Sequence, residues 1–443
     1  MTIFALSSGK GVSGIAVIRL SGAQAGAAVQ ALTDGLVPEP RRASVRALYG
    51  SSKSSQVQKP IDRAPIDRAI VLWLPGPASF TGEDMVEFHV HGGVAVVDAV
   101  LNALAAVEGC RPAEPGEFTR RAFESGRLDL TEAEGIADLI AAETEAQRQQ
   151  AVRQMDGALG EIYEGWRHDL VQSLAYMEAE LDFVEEALPE DLIAHVLPSI
   201  EALAKNIAEH LDDGHRGERL RDGFQVVILG EPNVGKSSLI NALSKRDVAI
   251  VSDIAGTTRD MIEVHLNLGG YPVTLVDTAG LRDGGDVIEQ EGVRRAKLRA
   301  SGADLSLRLY SADNLPEVPP ENRELVVASK SDLVQTATGD GFLAISTKTG
   351  DGVEELLAQI ESRVVKGMEV QEAPGITRIR HRQALEQALE ELQRGLTGAA
   401  NNKEPELIAE DLRLASRALG RITGRVDVED LLDVIFSDFC IGK

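Results

Sequence analysis

The chain has 443 residues, 43% of them apolar and 26% charged, the composition of a soluble globular protein with room for about two to four domains. Its formal charge of −25 repels a bare nucleic-acid backbone at long range, so a nucleic-acid ligand would need a partner to supply basic surface. No apolar run approaches the roughly 20 residues of a membrane helix, no basic and apolar leader opens the chain, and Cys110 and Cys440 make no disulfide framework; no membrane contact is expected, and a reducing cytoplasm is the expected location.

Residues 1 to about 125 read as an α+β module. "IAVIRLSG" and "DMVEFHVHGG" have strand patterns, helical stretches fall near 22–33 and 94–106, and a loop rich in Ser, Pro and Arg is expected between about 38 and 66. Two lookalikes are set aside. "SSGKGVSG" has Gly11 where a phosphate loop needs Ser or Thr, and His89-x-His91 lacks a third ligand for a tetrahedral metal. Beyond this module, Leu170, Leu174, Met177, Leu181 and Val184 recur at helical spacing.

At Phe224 the pattern changes. "FQVVILG" is a buried-strand run that leads into "GEPNVGKSS" and the helical "LINAL". Gly230, Gly235, Lys236 and Ser237 fit the phosphate-loop template, in which backbone N–H groups wrap phosphate oxygens, the lysine reaches the terminal phosphates and the serine ligates Mg2+. "GTTRD" follows with Thr257 and Thr258, where a switch threonine completes the Mg2+ shell. "YPVTLVDTAG" ends in Asp277 for the metal's outer shell and Gly280 for the γ-phosphate. After the strand "ELVVA" comes "SKSD": Asp332 can accept the paired donors of a guanine edge while Lys330 lies along the base, which selects GTP. "AISTKTG" adds Ser346, Thr347 and Lys348 as a last loop over the base.

The order and wording of these motifs resemble the TrmE–Era group of GTPases. One departure is Ser329, which stands where the group has Asn; one hydroxyl donor in place of an amide is expected to weaken nucleotide binding by about 1 kcal/mol while Asp332 keeps the guanine preference. Leu281 stands where Ras-like enzymes have a water-positioning glutamine, so catalytic help must come from elsewhere. Asn233 and carbonyls of the loop "SDIAGTT" can hold a monovalent cation that neutralises charge on the bridging oxygen, as an arginine finger does. A turn-forming role is the alternative for Asn233. The resemblance implies K+, held by Asn233, Ser252, Ile254 and Thr257, and aligns the water-activating carboxylate of "LRDGGDVIEQEG" onto Glu289. The nucleotide set is then Asn233, Val234, Gly235, Lys236, Ser237 and Ser238, then Ser252, Asp253, Ile254, Ala255, Gly256, Thr257 and Thr258, then Asp277, Thr278, Ala279 and Gly280, and finally Ser329, Lys330, Asp332, Ser346, Thr347 and Lys348, with Mg2+ on Ser237 and Thr258.

Past the GTPase, Leu412, Ala415, Leu419 and Ile422 form another helical stripe, and Val428, Leu431, Leu432, Ile435 and Phe436 a further one with Asp427 as its cap. Helical stretches on both sides of the GTPase read as one bundle with the GTPase inserted, which requires close GTPase termini. The expected fold is therefore multidomain: an α+β module over 1–125, a helical bundle over 126–220 and 373–443, and an inserted α/β P-loop domain over 221–372.

"SFTGEDMVEFHVHGG", "RPAEPGEFTRRAF" and the terminal "CIGK" complete an end-to-end resemblance to the MnmE (TrmE) family of tRNA-modification GTPases. The resemblance implies a homodimer joined through the N-terminal modules. It also implies an FAD-containing partner, MnmG, in a heterotetramer or larger complex, and tRNA as substrate. The modification is an aminomethyl-type or carboxymethylaminomethyl group at C5 of the wobble uridine, made with 5-formyl- or methylene-tetrahydrofolate. Its folate contacts match Arg19, Glu87, Arg127 and Lys443; Arg127 replaces the Lys of some relatives, keeping charge but changing geometry. Cys440 is followed by Gly442 and Lys443, which does not fit a prenylation box. A buried structural thiol is one reading of it, and a nucleophile on a flexible tail near the folate pocket is the family's. The competing function is an Era-like RNA-binding assembly GTPase without modification chemistry, which calls for a basic module that the −25 charge does not offer.

Overall fold

The computed structural model of the protein describes residues 1–33, 35–50, 65–182, 192–246, 248–250, 263–277, 302–315, 324–334, 342–368, 374–401, 403–426, 428–437 and 439–442. Contacts divide the chain into two units, Met1–Ala137 with Gly420–Lys443, and Asp138–Leu419. Among the described residues, no helix is long and apolar enough to cross a membrane.

The first unit is built on β1 (Thr2–Leu6), β2 (Ser13–Ser21), β3 (Ser44–Tyr49), β4 (Pro65–Leu74), β5 (Met85–Gly92) and β6 (Cys110–Pro112), in the order β3-β4-β5-β2-β1-β6. All neighbours are antiparallel except β1 and β6. The period-two alternation of strands assigns the faces. Ala16, Ile18 and Leu20 of β2 and Val86, Phe88 and Val90 of β5 are buried with residues of α1 (Ala25–Leu32) and α2 (Val94–Ala105), leaving Arg19, Glu87 and His89 on the opposite face. A strand, β3, stands inside the stretch expected as loop. Only Leu48 of it is buried, so this edge strand carries no apolar period to read.

On the Arg19 face, Ile3, Ala5, Met85 and Phe118 form a small core that includes α3 (Glu117–Glu124). The first turns of α4 (Leu130–Ala141) pack Leu130 and Ala133 against Val428, Leu432, Phe436 and Phe439, so the C-terminal helix (Glu429–Ser437) returns to the N-terminal module. Gly116, at the start of α3, makes this docking possible. Its φ is +65°, and a Cβ there would stand 2.6 Å from the Phe436 carbonyl oxygen.

The second unit begins with α5 (Glu145–Met155), opened by a capping box in which Thr144 and Gln147 satisfy each other's backbone N–H groups. α6 (Ala158–Asp182), α7 (Leu192–Leu211) and α8 (Arg216–Asp222) follow. Of the first predicted stripe, Leu170, Leu174 and Met177 are buried, while Val184 and the side chain of Leu181 lie outside the described residues. The α/β layer comprises β7 (Phe224–Gly230), α9 (Lys236–Leu243), β8 (Glu263–Leu268), β9 (Tyr271–Asp277), β10 (Leu305–Ser311), β11 (Glu324–Ser329), β12 (Leu343–Ala344) and α10 (Val353–Met368). Its order is β12-β11-β10-β7-β9-β8, parallel except for β8 with β9, and its near-continuous apolar strands are those of a sheet covered on both faces. α11 (Ile379–Ala400) and α12 (Pro405–Thr423) complete the bundle, with Leu412, Ala415 and Leu419 fully buried, as is Ile422 in the first unit. Asp427 and the side chain of Leu431 lie outside the described residues.

The segments before and after the α/β layer lie side by side, as an inserted domain requires. Gly217 packs so closely on the outgoing backbone that a Cβ would stand 2.3 Å from the Ile376 carbonyl oxygen. Replacing Gly116 by Ala should cost about 1–3 kcal/mol through left-handed strain alone and loosen the C-terminal helix, read as a lowered Tm and faster proteolysis of the tail; an unchanged Tm would show that this close approach does not hold the helix.

Candidate functional site

The phosphate loop leaves β7 at the carboxyl ends of the parallel strands, where open α/β sheets bind ligands. Three positive φ angles shape it: +150° at Gly230, +61° at Asn233 and +106° at Gly235. Asn233 thus takes the left-handed turn conformation, and among the described residues its side-chain amide makes no hydrogen bond. Lys236 opens α9 and folds over the loop, its Nζ donating to the carbonyls of Gly230 at 2.7 Å and Glu231 at 2.9 Å. Burial pushes the Lys236 pKa down, and the Asp277 carboxylate pulls it partly back. The Ser237 hydroxyl donates to Asp277 Oδ2 at 3.2 Å, so the two oxygen groups that suit a hard divalent cation already converge. Ser238 is the next residue of α9 and is exposed, whereas Val234 is buried.

The two loops expected over the base, at 329–332 and 346–348, connect to the same loop. Ser329, 3% exposed at the end of β11, directs its hydroxyl to the carbonyls of Val234 at 2.5 Å and Tyr310 at 2.9 Å, which share its single proton. The shorter serine therefore still spans from β11 to the phosphate loop. Lys330, at φ +57°, donates from Nζ to the Asn233 carbonyl at 2.7 Å. Asp332 accepts from the Ser346 hydroxyl at 2.8 Å, and Ser346 is fully buried. Thr347 and Lys348 follow in the adjacent turn, the lysine exposed. Ser252, Asp253, Ile254, Ala255, Gly256, Thr257, Thr258, Thr278, Ala279, Gly280, Glu289 and Lys443 lie outside the described residues.

In the first unit, Arg19 and Glu87 face each other across β2 and β5. Arg19 Nε and Nη2 both donate to Glu87 Oε1, at 3.0 and 2.9 Å, and His89 Nε2 lies 3.2 Å from Oε2. The guanidinium also stands 5.7 Å from the centre of the Phe80 ring and 6.0 Å from that of Phe118. Burial works to raise the Glu87 pKa, but Arg19 and then His89 outweigh it and hold the carboxyl below its ordinary range. Sequence reasoning missed His89, Phe80 and Phe118 as neighbours of this pair. Strand alternation was the available signal for His89, since positions 87 and 89 share a face. His91 Nδ1 instead lies 2.8 Å from Asp67 Oδ1.

Arg127 is exposed just past α3, with its stem beside Gly82 and its backbone N–H donating to the Ala122 carbonyl at 2.8 Å. Among the described residues, no hydrogen bond joins Arg127 or Cys440 to the Arg19–Glu87 pair. Cys440 is an exposed free thiol, which removes the buried-thiol reading. The backbone on either side of it contacts the N-terminal module. Ile441 bridges to Pro115, Ser7 Oγ donates to the Gly442 carbonyl at 2.8 Å, and a Cβ at Gly442 would stand 2.3 Å from the Leu6 carbonyl oxygen.

Residues 2–127 match the family model described as GTP-binding protein TrmE N-terminus, and residues 130–440 that of the MnmE helical domain. The chain is 54% identical to the tRNA modification GTPase MnmE of Parvibaculum lavamentivorans, over 100% of both chains. It is 53% identical to the protein of the same description from Maricaulis maris, over 100% of this chain and 99% of that one. It is also 47% identical to the mitochondrial 5-taurinomethyluridine-[tRNA] synthase subunit GTPB3 of Danio rerio, over 100% of this chain and 93% of that one.

Ser329→Ala should leave the fold intact and weaken GTP and GDP binding about fivefold to tenfold, the worth of one buried hydrogen bond of about 1 kcal/mol; equal affinities in nucleotide titrations would show that the strap does not support the loop. Because the folded-state pKa of Glu87 is lowered, its ionised pair with Arg19 stabilises the protein fully above the ordinary carboxylate range, and that stabilisation fades as pH falls through the lowered value. Glu87→Gln should thus lower Tm at neutral pH, with the gap to the parent closing below about pH 4, near the ordinary glutamate value; a gap independent of pH would remove the charge from the explanation.

Proposed function

The chain belongs to the MnmE (TrmE) family, and from that premise we propose that it is a potassium-activated GTPase which works with an FAD-containing MnmG partner on C5 of the wobble uridine of certain tRNAs, using a folate one-carbon unit. It is a GTP hydrolase of tRNA modification. The observation that carries the nucleotide reading is the convergence of Lys236, Ser237 and Asp277 on one side of a single loop, with Ser329 and Lys330 strapping that loop to the base-reading Asp332. Magnesium would be held by Ser237 and Thr258, with Asp277 behind it.

Leu281 can neither orient nor deprotonate water, so charge at the bridging oxygen is neutralised by K+ on Asn233, Ser252, Ile254 and Thr257, and Glu289 activates the water. The uncommitted amide of Asn233 favours this role beside its turn conformation. In the N-terminal module, Arg19, Glu87, Arg127 and Lys443 are the folate contacts. A carboxylate held ionised accepts the paired donors of a pterin, and guanidinium groups suit the folate carboxylates. The exposed Cys440 thiol is the nucleophile candidate for the uridine or an intermediate.

We read the chain as the module 1–125, the split helical domain 126–220 and 373–443, and the G domain 221–372, acting in the cytoplasm. Homodimerisation through the N-terminal module finds support in Val45 and Ile70, 70% and 40% exposed, which stand directly opposite each other on β3 and β4. The net charge of −25 favours a partner that supplies much of the tRNA-binding surface.

Single-turnover GTP hydrolysis in matched KCl and NaCl separates this mechanism from a simple nucleotide switch. Potassium should accelerate the rate by at least about tenfold, a barrier change of about 1.4 kcal/mol, and Asn233→Ala should abolish the difference while nucleotide still binds. Equal slow rates in both salts would remove the cation from the mechanism.

A further inference from the structure

The second unit holds a cavity of about 500 Å³ that none of the nucleotide chemistry uses. That volume falls within the roughly 300–1,000 Å³ of small-molecule pockets. Its lining comes from α5, α6 and α7, from the incoming linker with α8, from Met368 at the end of α10, and from residues 374, 375 and 377 of the outgoing linker. The wall is apolar and aromatic on one side. Leu159 and Met368 are each 1% exposed, and half-buried Trp166 stands edge-on to His210 with ring centres 5.4 Å apart. Burial pushes the His210 pKa down, Asp213 pulls it back and Arg382 adds to the fall, which favours the neutral ring.

The cavity wall carries charges of both signs. Arg153, Arg216, Glu209, Asp212 and Asp213 line it. Asp213 is already taken by Arg382 at 2.7 Å, and Glu209 lies 3.7 Å from Lys205 along α7. Among the described residues neither the Arg153 nor the Arg216 guanidinium pairs with a carboxylate; Arg216 uses only Nε, on the Asp213 carbonyl at 2.7 Å. The lining residue Thr377 is 1% exposed, and its hydroxyl has no partner among the described residues, a costly arrangement for a buried donor.

We propose that this cavity binds a planar aromatic molecule bearing one acidic group, a carboxylate or sulfonate, and that its occupancy adjusts GTP turnover through the two linkers. The ring takes the place of solvent against Trp166 and Leu159, and the acidic group pairs with the guanidinium groups of Arg153 and Arg216, which no carboxylate engages among the described residues. Gly217 and Thr377 both belong to the wall, so an occupant touches the segments that enter and leave the G domain. The regulatory half rests on the GTPase reading; the binding half does not.

The test uses the full-length protein with 8-anilinonaphthalene-1-sulfonate as fluorescent probe and 1-naphthoate as competitor. The chain contains two tryptophans, Trp73 and Trp166. Energy transfer to the probe should vanish in Trp166→Phe and survive in Trp73→Phe. 1-Naphthoate should displace the probe at least about tenfold better than uncharged 1-naphthol, and Arg153→Gln should erase that preference while leaving GTP turnover without probe unchanged. Saturating 1-naphthoate should change GTP turnover at least about twofold in the parent and leave Arg153→Gln unaffected, because the variant no longer holds the acidic group. Probe binding that ignores Trp166→Phe, or displacement that ignores the acidic group, overturns the site. Displacement as expected with turnover unchanged overturns its regulatory role, and GTP hydrolysis measured alone tells either failure from a loss of the GTPase itself.

Discussion

The arrangement of the second unit depends on how closely two strands of chain can pass. A domain inserted in a bundle must leave the place where it came in, and here the incoming and outgoing segments touch backbone to backbone at Gly217 and Ile376. Charge then fixes the crossing. Arg382 of α11, only about a tenth exposed, reaches Asp213 at 2.7 Å and Glu218 at 3.1 Å, both before the sheet. Asp138 of α4 accepts from Arg221 on the incoming side at 3.0 Å and from Arg378 on the outgoing side at 2.7 Å. Removing one partner of such a buried set leaves a charge without compensation, so the crossing holds as a set or fails as one.

That crossing leads into a sheet whose strand ends carry the residues expected to hold nucleotide. The carboxyl ends of β7, β9 and β11 lie in neighbouring register, so Gly230, Asp277 and Ser329 finish near one another although the sequence separates them widely. Short side chains then connect them: Ser237 to Asp277, Ser329 to the Val234 carbonyl, Lys330 to the Asn233 carbonyl. The phosphate loop is held from the end of β11 as well as from its own helix. This explains how a serine serves at position 329, where its hydroxyl needs to reach only a backbone oxygen close by.

The N-terminal module uses a different device. Its sheet buries one face under two helices, and the other face presents Arg19 and Glu87 as a cross-strand pair beside two aromatic rings. The same unit receives the C-terminal helix, where glycines at 116 and 442 admit backbone at distances that no side chain would allow. Cys440 is thereby displayed on a docked segment, with its backbone engaged and its thiol exposed.

The strand, glycine-bearing loop and helix expected for a phosphate loop were legible in the sequence, because they follow from the few residues on either side of them, and β7, the left-handed Gly235 and α9 stand where that pattern puts them. The helical stripes were legible for a related reason: Leu170, Leu174 and Met177 show their burial through a 3.6-residue period that needs no knowledge of the partner helix. Long-range placement was not. Nothing local in "SVRALY" announces an edge strand with one buried residue, nothing at Ser329 states that its partner is the Val234 carbonyl, and nothing near Cys440 says that residues 441 and 442 dock on Pro115 and Ser7. Local sequence thus determined the elements and the chemistry each could carry, whereas tertiary packing decided which elements meet, because contacts between distant segments depend on closing the chain around shared cores.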